Sequence, residues 1–306
     1  MSEYKKGITN ATIAYTMWGI YPLYWWLLQT VSPVEVLINR MLWSFITLLL
    51  IIIIFKKIPA LKETIKFLLK NKKKGFWLFV AALIISVNWF VFTYAAVSGL
   101  ILEASLGYYM NPIVNILIAV IFLKERLTKT QAVATMLAAI GVIYLAISYG
   151  VLPWVSIILA CSFSLYALSK RLVGDIDPIF SLFLETLIVL PLSLSFFTFW
   201  ILNGNSSFLG GDASLTLLLI GAGGITVSPL FFFSKATQQI PFKVLSFLQY
   251  VGPTIQIVVA VFIVGEYFSA HRLITFIFIW MACLIFSSSH FLHTPKTKKT
   301  KNVEPV

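Results

Sequence analysis

The stretch from Glu103 to Arg126, EASLGYYMNPIVNILIAVIFLKER, is oily enough to cross a bilayer, yet it carries groups that lipid does not tolerate. Pro112 has no N–H to offer the residue four back, which frees the carbonyl of Tyr108. Asn111 and Asn115 bring two amides, and Tyr108 and Tyr109 two phenols, to the same few turns. Such groups are costly against lipid and acceptable where they face protein or a water-filled cavity. Their chemistry is hydrogen bonding and aromatic stacking, which suits holding a small amphipathic or zwitterionic solute. The same residues also suit hydrogen bonding between helices, which contributes about 0.6–2 kcal/mol per bond.

The motif occurs twice. Sliding the chain along itself by 141 residues lays Pro112 on Pro253, Tyr109 on Tyr250, Asn115 on Gln256 and Glu125 on Glu266. The second copy, VLSFLQYVGPTIQIVVAVFIVGEY, places Gln249, Tyr250 and Gln256 around Pro253, which is expected to free the carbonyl of Gln249. Further candidates for the cavity wall are Trp18, Asn88, Trp89 and Tyr166, which lie deep within apolar runs. Trp25 and Trp26 read instead as interface-belt residues.

Ionisable residues inside a membrane segment are functional candidates by default. Arg40 and Glu185 are rough counterparts in the two halves and are expected near opposite faces. Glu103 is placed to pair with Arg40, and Lys243 or Lys235 to pair with Glu185. These four positions, Arg40, Glu103, Glu185 and Lys243, would act as gating or coupling charges; static pairs and snorkelling side chains are the plainer alternative. Glu103 and Glu185 are the acids expected inside or at the start of a span. Glu125 has basic neighbours enough in Lys124, Arg126 and Lys129.

Enzymatic chemistry finds little to stand on. No G-x-x-x-x-G-K-[ST] motif occurs. His290 and His293 share a helical face, but no inward-facing acid completes a metal site. No metal and no other cofactor is expected, and nothing points to a nucleic-acid partner; the net charge of +12 reads as loop lysines. Cys161 and Cys283 read as packed thiols. A channel remains an alternative, although offset polar layers differ from a continuous charged ring.

The elements that must position these groups follow from composition. The chain of 306 residues is 59% hydrophobic and only 11% charged, with a mean hydropathy of +0.94. Soluble domains hold about one quarter charged residues. The expectation is an all-α polytopic membrane protein with spans at 8–28, 37–55, 76–98, 102–123, 130–148, 152–169, 180–201, 214–234, 244–264 and 273–291. Longer connections are expected at 56–75, rich in lysine, and at 202–213. Placing both termini in the cytoplasm gathers every Lys and Arg on that side except Arg40 and Arg272. The first span reads as retained, with no signal cleavage site.

An odd number of spans per half makes the two copies insert with opposite topology, a plan common in secondary transporters. The halves are residues 1–149 and 150–293, followed by a basic tail, 294–306, expected to be disordered in the cytoplasm. The lipid bilayer and a small-molecule substrate are the partners implied.

The ordered motifs INRMLWS, NWFVFTYAA, LEASLGYYMNP and FLQYVGPT resemble the EamA family of the drug/metabolite transporter superfamily, and within it the RarD subgroup, over residues 8–291. Residue by residue, EASLGY falls on Glu103–Tyr108, N-P on Asn111 and Pro112, and Q-Y-x-G-P on Gln249–Pro253. Lys243 matches no family pattern. The resemblance implies a carrier of the bacterial inner membrane with a central cavity between its halves.

Overall fold

A computed structural model describes residues 2–97, 101–149, 154–174, 176–204, 206–208, 210, 212–259, 262–263 and 270–292; the side chains of Glu103, Gln256, Arg272 and His290 lie outside the description, as do Glu266, His293 and the tail. The described residues are helical, with no strand among them. In chain order the helices are α1 (Glu3–Ile20), α2 (Pro22–Trp26), α3 (Pro33–Ile54), α4 (Ile58–Lys70), α5 (Lys72–Val97), α6 (Ile101–Ile121) and α7 (Lys129–Tyr149). They continue with α8 (Trp154–Val173), α9 (Pro178–Leu202), α10 (Ala213–Gln239), α11 (Phe242–Leu248), α12 (Val251–Val259) and α13 (Ala270–Leu292).

Six of these helices, α3, α5, α7, α8, α9 and α10, are long and apolar enough to cross a membrane. Their outward faces are apolar and exposed, as at Phe90, Ile147 and Leu202. That pattern suits a helix whose solvent is hydrocarbon.

Prolines set several helix boundaries. Pro33, Pro59 and Pro178 each sit in the first turn of a helix, where the missing N–H has no intrahelical partner to lose. Pro112 lies inside α6, which continues through it. Pro253 behaves differently. The single kinked helix expected over 244–264 is two helices, α11 and α12, and Pro253 falls in the first turn of α12. The Gln249 carbonyl expected to be free accepts Gly252 N–H at 3.2 Å, in a tight turn.

The lysine-rich connection expected at 56–75 contains the helix α4. Leu61, Ile65 and Leu68 recur at helical spacing; Leu61 and Leu68 are buried, while Lys62, Lys66 and Lys70 are exposed. The charge count concealed an amphipathic helix that rests on α5.

Packing runs between the halves. α5 lies against α8, and α1 against α10; α6 lies against α8, and α1 against α12. α3 meets α10, α5 meets α9, and α3 meets α9, while α7 meets α13. Close approach depends on small residues. A β-carbon on Gly19 would stand 2.6 Å from Ile255 Cβ, and one on Gly107 would stand 3.0 Å from the Ser156 carbonyl.

Candidate functional site

Two polar groupings lie where the halves meet. The first joins α6 to the α11–α12 break. Asn115 Nδ2 donates to Gln249 Oε1 at 2.8 Å, linking the two copies of the motif. Asn111, one turn earlier on the same face, is completely buried, and its backbone carbonyl accepts Ser164 Oγ of α8 at 3.4 Å. Both polar atoms of the Asn111 side chain, together with Asn115 Oδ1 and the Tyr250 hydroxyl, have no hydrogen-bond partner among the described residues. Leaving such a group buried and unpaired costs about 1–3 kcal/mol. Pro112 and Pro253 are buried beside them.

The second grouping carries charge. The Arg40 guanidinium on α3 lies 4.6 Å from the Trp25 ring centre and 5.2 Å from that of Trp89, and its Nε donates to Thr226 Oγ1 at 3.1 Å. The Tyr108 ring on α6 lies 6.0 Å from that of Phe92 on α5. Trp89 lines a cavity of about 20 Å³ with Tyr166, Glu185, Thr186 and Leu230. That space is close to the volume of one water molecule, so the centre is nearly shut. Within that lining, Glu185 Oε1 meets Lys170 Nζ at 2.5 Å and accepts Ser181 Oγ at 2.9 Å, while Glu185 Oε2 accepts the Tyr166 hydroxyl at 3.1 Å. Lys170 Nζ also donates to Ser181 Oγ at 2.7 Å. An aromatic cluster of Tyr15, Trp18, Phe163, Tyr166 and Phe233 packs alongside.

Several expectations are corrected here. Glu185 pairs with Lys170, not with Lys243 or Lys235. Lys243 Nζ instead donates to the Arg126 carbonyl at 2.8 Å and to Gln131 Oε1 at 3.2 Å, and Lys235 lies over the Phe231 ring. The reason is proximity along helices. Lys170 lies one turn beyond Tyr166 on the face that meets α9, whereas Lys243 opens α11 beside the end of α6. The expected Arg40–Glu103 pair lies outside the described side chains, as does Gln256. Trp25 stacks on Arg40, a contact that leaves its interface-belt assignment standing. Glu125 takes neither Lys124, Arg126 nor Lys129; it accepts the Phe242 and Lys243 amides at 3.0 and 3.3 Å and lies 3.8 Å from Arg171. Two amides at a helix N-terminus offer a carboxylate better geometry than flexible lysines do. Asn88 serves the α5–α8 contact, donating to the Leu159 carbonyl at 3.1 Å and to Ser162 Oγ at 2.8 Å.

Two ionisable residues escaped the sequence. Lys170 belongs to a Lys-Arg doublet at a span end and was counted as a cytoplasmic charge. Glu35 lies just before the expected start of the second span. It is buried in the first turn of α3, and its Oε1 accepts Ser206 Oγ, Ser207 N–H and Phe208 N–H at 2.7, 2.6 and 3.1 Å. A second alignment of the halves was the available signal. A shift of 145 residues lays Pro33 on Pro178, Tyr21 on Tyr166, Trp25 on Lys170 and Arg40 on Glu185. The pair in contact at 25 and 40 thus recurs as the pair in contact at 170 and 185.

The EamA-like transporter family model matches residues 5–147 and again residues 152–288. Among relatives, the uncharacterized transporter YojE of Bacillus subtilis is 38% identical over 290 residues, covering 94% of this chain and 95% of its own length. Protein RarD of Escherichia coli is 36% identical over 296 residues, covering 96% and 98%. A solved crystal structure shares the fold with a TM-score of 0.71 over 95% of this chain and 99% of its own, at 15% identity. A helical, multi-pass membrane chain with a polar centre, matched by one transporter family model in each half, belongs to the EamA-like transporter family.

Proposed function

We propose that the chain is a secondary transporter that moves a small organic solute across the cytoplasmic membrane by alternating access of two inverted five-helix halves. Ten spans with both termini in the cytoplasm fit the distribution of Lys and Arg. The packing supports the exchange of halves: α5 with α8 answers α1 with α10, α6 with α8 answers α1 with α12, and α3 with α9 answers itself. The double match to one family model has the same sense.

The observation that carries a binding role is the set of buried polar atoms on Asn111, Asn115 and Tyr250 without partners among the described residues. Both halves contribute to it. A packed interface that served only stability would pair or remove them. A solute with hydrogen-bonding groups would satisfy them when the small central space opens.

The test is a thermal-shift screen of the purified protein in detergent against amino acids, small metabolites and amphipathic drugs. A solute at 100 times its Kd adds roughly 2.7 kcal/mol of stability. The expected result is a stabilising solute whose effect is lost in Asn111→Ala and Asn115→Ala. Stabilisation that survives both changes would remove this seam from the site.

A further inference from the structure

Lys170 and Glu185 are 2% and 4% exposed, so the centre of the molecule contains an almost dry ion pair. Apolar side chains of similar volume often stabilise as well or better, so stability alone is a weak reason for such a pair. Its position offers another. Glu185 forms part of the cavity wall, and Lys170 stands behind it. On α9, Pro178, Ser181 and Glu185 recur at helical spacing along one face. Pro178 lines a second, open cleft of about 440 Å³ with Lys6, Asn10, Lys235 and Gln239. The Lys170–Ser181–Glu185 network therefore stands between that cleft and the central cavity.

Resting on the carrier reading above, we propose that Glu185 takes up one proton and so releases Lys170 to hold the anionic group of an organic anion, which crosses the membrane together with that proton. The exchange balances. Before it, the ammonium faces the carboxylate. After it, the proton is on Glu185, the ammonium faces the substrate anion, and the interior has gained one positive and one negative charge. On the far side the anion leaves, the proton leaves Glu185, and the pair re-forms. The protonated carboxyl keeps partners, because the Tyr166 and Ser181 hydroxyls can accept as well as donate.

The mirror exchange also balances: a cationic solute takes Glu185 while Lys170 gives up a proton. Arg40 decides between them. Its guanidinium lies 5.2 Å from the ring of Trp89, which lines the same cavity as Glu185, and a second cation near that cavity repels a cationic solute and attracts an anion. The groups facing Glu185 are Lys170 and Tyr166 from α8, Ser181 from its own helix, and Trp89 from α5 with Arg40 of α3 beside it; α10 presents the apolar Leu230.

The test measures melting temperatures of the full chain in detergent at about pH 6 and about pH 8, between the ordinary Glu and Lys titrations. The probes are lactate, malate, benzoate and glycerol 3-phosphate, with benzylamine and choline as cations. At least one anion should stabilise the wild type. Its apparent dissociation constant should rise up to about tenfold for each unit of pH, the slope of one proton per anion. Glu185→Gln mimics the protonated carboxyl and should bind that anion with no such slope. Lys170→Met should lose it at both pH values. Because each single change can unbalance a buried pair and fail to fold, the double variant Lys170→Met/Glu185→Gln is measured too, and should fold without binding anions. Stabilisation by the amines alone, no effect of any anion, or pH-dependent anion binding retained in the double variant would overturn the proposal. Loss of an amine's or neutral solute's effect in Asn111→Ala and Asn115→Ala would leave the carrier reading standing while this one fell.

Discussion

Glu35 shows how much one side chain can hold. A single carboxylate oxygen gathers a hydroxyl and two backbone amides of the 203–212 connection, fastening it to the first turn of α3. Hydrogen bonds to a charged group contribute about 1.5–3 kcal/mol each, against about 1 for neutral pairs. Glu35→Gln should therefore lower stability by about 1–3 kcal/mol, read as a lower melting temperature and faster chymotrypsin cleavage at Phe208. An unchanged cleavage rate would mean that the connection is fastened elsewhere. The sequence disclosed the amides and prolines of the repeated motif because each type is rare in a membrane span. It hid Lys170 because a Lys-Arg doublet at a span end has the same composition whether its first member points to water or into the protein. Only the neighbour across the helix interface tells them apart.

Among the elements, α3 and α10 approach until backbone meets backbone. A β-carbon on Gly223 would land on the main chain of Trp43 and Ser44, whereas nothing lies within 4 Å of the same position on Gly224. Gly223→Ala should cost about 1–3 kcal/mol through overpacking. Gly224→Ala should be neutral or should stabilise by about 0.5–1 kcal/mol, as expected when Ala replaces Gly inside a helix. Paired melting curves check both, and equal effects would refute the close crossing. Helices of this length were legible from hydropathy alone. The break between α11 and α12 was not, because Pro253 is equally compatible with a kink and with a new first turn. The choice rests on Gly252 closing a tight turn onto Gln249. α4 was concealed for a different reason: its lysines dominated the count, while Leu61 and Leu68 hold its inner face.

For the whole molecule, the exchange of helix contacts between halves makes orientation testable. A fluorescent protein fused after residue 292 and a cysteine label within 56–75 should both report the cytoplasm. A label within 203–212 should be reached from outside intact cells. The opposite pattern for either cytoplasmic site would exclude the proposed topology. Membership of the family was legible from the motifs. The part of Trp89 was not legible, because no sequence pattern shows that one ring lies beside the Arg40 guanidinium and also lines the cavity that holds Glu185. The Asn111 amide, unpaired among the described residues, has a last consequence, which concerns the life of the protein in its cell. A transporter whose empty form buries unsatisfied groups is least durable in that form. Its abundance should therefore follow nutrition: cells supplied with its solute should degrade it more slowly than starved cells making the same messenger, and Asn111→Leu should abolish that difference.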